Sequence, residues 1–202
     1  MLEQKDIELA KTMFKQWDLN HSWHAATPEF IEHSRKKAKD SLELAIYLLE
    51  KLEQTTELKG NNSVTIWIVA LGYYSMFFEA EYLFSLDGRK LPKGTKDTHK
   101  TMYLAFLYYY LIKGSELEQG KREITTSRMS KALILFKELQ DETLELQRVQ
   151  RSVEDLKTQR EQRNAFTYHT THSAELLEAK KSISKATEFR QLVEEYIISK
   201  RK

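Results

Sequence analysis

The chain has no cysteine. That excludes disulfides, thiolate metal sites, iron–sulfur clusters and cysteine nucleophiles together. Only two prolines and six glycines occur among 202 residues. An all-β or loop-rich protein needs turn residues every ~8–12 positions, so both classes are excluded. The scattered glycines never form a phosphate-cradling loop, which removes the common ATPase and dinucleotide-binding readings. No Glu-x-x-His pair exists, so the ligand signature of the di-iron bundles is missing. There is also no excess of one charge: 32 Lys and Arg face 30 Asp and Glu, a net of +2 that points to no partner at whole-chain level. The longest greasy stretch, Val64 to Phe78, is followed at once by Glu79 and Glu81. A membrane span needs about 20 apolar residues, so this stretch reads as a buried helix. The first ten residues carry charges where a signal peptide needs an apolar core. With no signal, no span and no cysteine, the expected compartment is the cytoplasm.

What is present is helical periodicity. A first amphipathic helix is expected from Leu2 to about Trp17, with Ile7, Leu9, Met13, Phe14 and Trp17 as its stripe. Residues 18–27 read as polar and irregular. Thr27-Pro28-Glu29 is a helix start: a capping hydroxyl, Pro in the first turn, then an acid. From there Ala38, Leu42, Ala45, Leu49 and Leu52 recur three and four apart, making one face of a helix that runs to about Leu58. Ser63 is expected to cap the next helix, Val64 to about Leu86, which is apolar nearly all round and therefore central. Thr98 is expected to cap a helix to about Ile112. A long helical stretch follows from Ser127 to about Tyr168. Thr170 to Ser173 interrupts it, and a last helix runs from about Ala174 to Ser199. The fold class is all-α, an up-and-down bundle of about six to seven helices. Residues 1–27 read as a helix and connector appended to a bundle over 28–202.

His21 with His24, and His169 with His172, sit three apart, a spacing that can share a helix face. No acids stand at matching positions, so the pairs read as solvated or capping histidines and the sequence implies no metal and no cofactor. The segment with most chemistry is Arg163-Asn164-Ala165-Phe166-Thr167-Tyr168-His169. Its plain reading is a solvated polar helix that His169 ends. Its functional reading needs two groups. An Arg holds phosphate with a fixed fork of donors, and a His with an ordinary pKa of ~6.5 gives or takes a proton at neutral pH. Together they suffice for cleavage of RNA by its own 2′-hydroxyl. Six residues on a helix turn about 600°, which leaves the two side chains about 120° apart. They meet on one target if the helix ends between them, or if two copies pool their residues.

Three segments then resemble the HEPN superfamily of helical-bundle nucleotide-binding and ribonuclease domains. Ala70 to Glu81, ALGYYSMFFEAE, is similar to the family's small-residue and aromatic helix. Thr98-His99-Lys100 opens a helix after a basic loop. Arg163, Asn164 and His169 match the Arg-polar-x(4–6)-His motif. The likeness covers roughly residues 35–200. It implies a homodimer that cuts RNA without metal, leaving a 2′,3′-cyclic phosphate, with His169 as general acid or base, Arg163 as phosphate clamp and Asn164 orienting them. It also implies a toxin or defence role, with a minimal nucleotidyltransferase as antitoxin partner. The chain departs from members modified by that partner, which carry Tyr two residues after the His, because Thr171 stands there. The stretch 114–162 is longer than in compact members, as an inserted helical arm would make it. The alternative within the family is a non-catalytic binding or scaffold module, and outside it a structural interaction protein.

The loop from Gly88 onward carries Arg89, Lys90, Lys93, Lys96 and Lys100 against Asp97. Charged loops are ordinarily just solvated. The functional reading is a contact to the RNA backbone that does not read sequence. The run Tyr108-Tyr109-Tyr110 can stack bases, but at this periodicity it reads first as core.

Overall fold

A computed structural model describes residues 3–55, 62–113, 127–145 and 172–200. These form an all-α bundle: α1 (Gln4–Leu19), α2 (Pro28–Gln54), α3 (Asn62–Leu86), α4 (Thr98–Phe106), α5 (residues 127–145) and α6 (His172–Lys200). Two strands of two residues, β1 (His24–Ala25) and β2 (Arg89–Lys90), pair antiparallel, with His24 opposite Lys90 and Ala25 opposite Arg89. Among the described residues no helix is long and apolar enough to cross a membrane.

Helix α3 is the centre of the bundle, as its all-round apolar sequence demands. Ile68, Val69, Met76, Ala80 and Leu83 are buried along it. On the α2 side the hydroxyl of Ser75 donates to the Ala38 carbonyl at 2.9 Å. On the α6 side the backbones come close at Gly72. A Cβ there would stand 2.3 Å from Ser182 Oγ and 3.4 Å from the Ser182 carbonyl oxygen. The expected α2 face is the one that packs: Ala38, Leu42, Ala45 and Leu52 are buried and Leu49 is half-buried. The start of α2 also follows its sequence signal, since Thr27 Oγ accepts from the Phe30 amide at 3.3 Å and Pro28 is the first helical residue.

Several boundaries differ from the sequence reading, among them those of α1, which runs from Gln4 to Leu19 rather than from Leu2 to about Trp17. Helix α2 ends at Gln54 rather than near Leu58. Ser63 lies inside α3, which starts at Asn62. Thr98 is the first residue of α4 and not its cap; its hydroxyl donates back to the Thr95 carbonyl at 3.0 Å, and the residue before it, Asp97, has φ +48°. His172 and Ser173 belong to α6.

Residues 3–27 share one core with the rest of the chain. Phe14 is fully buried, with its ring 5.9 Å from Trp23, 5.8 Å from Tyr108 and 5.7 Å from Tyr109. Leu9, expected on the packed stripe, is 39% exposed instead. The tyrosine run is core, as its periodicity suggests. The helix widens over Leu107–Ile112 into a π-helical turn in which the Lys113 amide donates to the Tyr108 carbonyl at 2.8 Å. Widening the turn brings the rings of successive tyrosines to different neighbours. Tyr109 faces α1 and the segment after it, while Tyr110 packs on Phe84, Phe106 and Tyr196.

Two acidic side chains are buried in this bundle, Asp6 on α1 and Glu79. Glu79 on α3 is 4% exposed and, among the described residues, has no hydrogen-bond partner. Burial pushes its carboxyl up to about 7, against the pull of Arg190, with Glu194 adding to the rise. Because the folded value lies above the ordinary 4.5, the folded state holds a proton that the unfolded chain has lost, and stability falls as pH rises between those two values. The gap corresponds to about 3 kcal/mol. Glu79→Gln is therefore expected to raise stability above pH 7 by up to about 3 kcal/mol and to change little near pH 4.5. Urea unfolding of both proteins across this range checks it; parallel pH profiles would refute it.

Candidate nucleic-acid interface

The five basic residues of the loop divide into two groups. Arg89 and Lys90 form β2 and are held against the protein. The Arg89 guanidinium lies 4.2 Å from the centre of the Tyr109 ring and 3.7 Å from Asp87, and the Lys90 ammonium lies 4.0 Å from the centre of the Phe30 ring. Such contacts suit cations on the negative face of an aromatic ring. Lys93, Lys96 and Lys100 are exposed, and among the described residues none has a carboxylate partner. Gly88 and Gly94 have φ of +76° and +80°, a left-handed conformation that side chains disfavour, and they turn the corners of this loop.

Two carboxylates tie the surrounding elements together. Asp18 accepts from the Tyr109 hydroxyl and forms an ion pair with Lys113 at 2.6 Å. Burial pushes the Asp18 carboxyl up, but the hydrogen bonds from Lys113 and Tyr109 outweigh it and hold the group below its ordinary range. Asp87 accepts from Tyr110 at 2.9 Å and pairs with Lys200 at 3.1 Å. The Trp23 indole donates to the Tyr109 hydroxyl at 2.9 Å, and the Ala26 amide donates to the Gly88 carbonyl at 3.2 Å. The start of the loop is thus fastened to the β1 segment and, through Asp87, to the end of α6, while Asp18 ties α1 to the π-helical turn.

At the start of α4, beside Lys96 and Lys100, stands His99. The sequence shows it only as the middle of Thr98-His99-Lys100; its partners come from elsewhere in the chain. Gln140 on α5 donates to the Tyr73 oxygen at 3.4 Å, and Tyr73 lies 2.8 Å from His99 Nδ1. The Tyr73 hydroxyl thus links Gln140 on α5 to the His99 ring. Partial burial against Tyr73, Tyr74 and Phe77, whose rings lie 5.4, 5.9 and 4.8 Å away, holds the imidazole below its ordinary range. The imidazole is thus held by a hydrogen bond and ring contacts while the residue as a whole stays exposed. Burial pushes the Tyr73 phenol well above its ordinary range, so it stays protonated.

Arg163, Asn164 and His169 lie outside the described residues, as does most of the stretch 114–162 apart from α5. Within α5, Met129, Leu133, Phe136 and Leu139 are buried in the main core. His21 and His24 are both exposed, and among the described residues no group of three or more His, Asp or Glu is placed to hold a metal ion.

Comparison with protein-family models, with curated proteins and with solved structures finds no match for this chain.

Proposed function

We propose that the protein binds single-stranded RNA on the lysine-bearing loop and cleaves it without a metal ion, as a homodimer. The observation that supports this reading is the presentation of Lys93 and Lys96 on the loop and of Lys100 in the first turn of α4, all exposed and, among the described residues, without a carboxylate partner. A polyanion that meets such a group releases its counterions, and the contact reads backbone rather than sequence. The chemistry in this proposal falls to Arg163, Asn164 and His169. Arg163 grips the scissile phosphate, His169 moves the proton, and Asn164 orients them. Two copies contribute to one cleft, which removes the angular separation of the Arg and His on a single helix. By its resemblance to HEPN proteins, such an enzyme serves as a toxin or in defence.

The test is cleavage of single-stranded RNA by the purified protein. Activity is expected to survive EDTA and to vanish on RNA whose 2′-hydroxyls are blocked, since the 2′-oxygen is the nucleophile. Loss of activity on chelation would overturn the mechanism, because a metal would then be generating the nucleophile. Cleavage of the blocked RNA would overturn it as well.

A further inference from the structure

Helix α3 carries a stripe of large side chains that the core covers only in part, Phe78 and Leu71 packing against its edge. Trp67, Leu71, Tyr74 and Phe78 follow one another at four-, three- and four-residue spacing and so share a face. Trp67 is 61% exposed, and Tyr74 and Phe78 are both partly exposed. The last two rings lie 6.1 Å apart and are nearly parallel, at 22°. Cations border them on both sides. From α2, the exposed Lys37 places its ammonium 4.8 Å from the centre of the Phe78 ring. From α4, His99 sits 5.9 Å from Tyr74, with the unpaired Lys96 and Lys100 close to it in the chain. Of the two carboxylates that follow on α3, Glu79 is buried and Glu81 is engaged: Ser34 donates to it at 2.8 Å, and Lys37 and Lys90 face it.

An apolar partner helix would suit the rings but not a border of free cations. A double-stranded nucleic acid would suit the cations but offers no open base face. Single-stranded nucleic acid suits both, because every base has a face to stack and every linkage a phosphate to neutralise. We propose that Tyr74 and Phe78 are a base-stacking platform for the RNA strand, with its phosphates on Lys37, Lys96 and Lys100. The proposal deepens the RNA-binding reading above and rests on it. It assigns affinity to base faces as well as to charge. The Lys37 contact to Phe78 is weak at such an exposed site, so the side chain is free to swing to a phosphate.

The experiment uses two short, 2′-O-methylated strands that the protein cannot cut: a uridine oligonucleotide and an abasic strand of the same length and charge. Binding of the full chain to each is followed by fluorescence anisotropy across a salt series. Stacking contributes roughly tenfold per base, so the uridine strand is expected to bind about 100-fold tighter than the abasic one. Tyr74→Leu with Phe78→Leu keeps apolar volume but removes the ring faces, and should erase that difference while leaving the abasic affinity and its salt slope unchanged. Lys96→Gln with Lys100→Gln should weaken both strands and flatten both slopes. Equal binding of the two strands by the unaltered protein would overturn the platform without any variant having to fold. A difference that survives in the Leu variant would overturn it too, as would binding of neither strand, which is what a protein partner for this stripe would give. Because neither strand can be cut, stacking without cleavage of ordinary RNA refutes the nuclease, and cleavage without base-dependent affinity refutes the platform.

Discussion

Replacing His169 with alanine is expected to slow RNA cleavage by about 10²–10⁴-fold, the ordinary worth of positioned general acid–base help. Affinity for RNA should hardly change. A proton carrier acts on the bond being made and broken, and contributes little to the ground-state complex. Arg163→Ala should behave differently, lowering both rate and affinity, because a phosphate clamp holds its ligand before the reaction as well as during it. The loop lysines make the third pattern: their removal weakens binding and its salt dependence while the rate at saturating RNA stays the same. Single-turnover kinetics with a matched binding titration separates the three. If purified His169→Ala protein cut RNA as fast as its parent, the motif would not be the active site, and a binding or scaffold role would replace the nuclease.

The second large effect concerns Gly72 and the join between α3 and α6. A methyl at this position meets Ser182 Oγ at 2.3 Å, while the next nearest atoms of Ser182 are its backbone oxygen and carbon at 3.4 and 3.5 Å. The obstruction is thus one hydroxyl. In the native protein that hydroxyl, fully buried, donates to the Val69 carbonyl at 3.4 Å. Gly72→Ala forces it to turn away and is expected to cost about 1–2 kcal/mol, after the better helix propensity of Ala offsets part of the strain. Gly72→Val adds bulk against the Ser182 backbone, which cannot turn away, and should cost about 3 kcal/mol or more. In a chain of this size that lowers the midpoint of thermal unfolding by roughly 10 °C. The double variant Gly72→Ala, Ser182→Ala should recover most of the loss of the first change, because it removes the clashing atom and leaves ordinary contacts. Calorimetry of the four proteins checks the cycle. Additive losses would show that the two residues do not meet as described.

The sequence carried those parts of the fold that are written locally. The Thr27-Pro28-Glu29 start of α2, its buried face from Ala38 to Leu52, and the central place of α3 all follow from periodicity and capping. What it did not carry is written over distance. The β1–β2 pair joins residues 24–25 to 89–90 with two residues on each side, too few for any alternating pattern to show. The π-helical turn at Leu107–Ile112 has the composition of an ordinary apolar helix. The basic loop was visible as charge, yet the distinction between Arg89 and Lys90, laid over Tyr109 and Phe30, and the free Lys93, Lys96 and Lys100 depends on rings from other elements. His99 shows the same limit most clearly. Its place after a basic loop is legible, but Tyr73 comes from 26 residues earlier and Gln140 from α5. The Tyr74–Phe78 stripe was legible as aromatic spacing but looked like core, since nothing local says which face of an all-apolar helix stays open.

The basic loop sets function against stability. Lys93, Lys96 and Lys100 follow one another closely in the chain with Asp97 among them, and like charges at such spacing repel one another in the free protein. Dissolved salt screens like charges over about 10 Å at 0.1 M, so it relieves the free fold of this burden. The same salt competes with RNA for the lysines and loosens the proposed complex. On the proposed function no single ionic strength is best for both: the most robust free state and the tightest grip on a polyanion would lie at opposite ends of the scale.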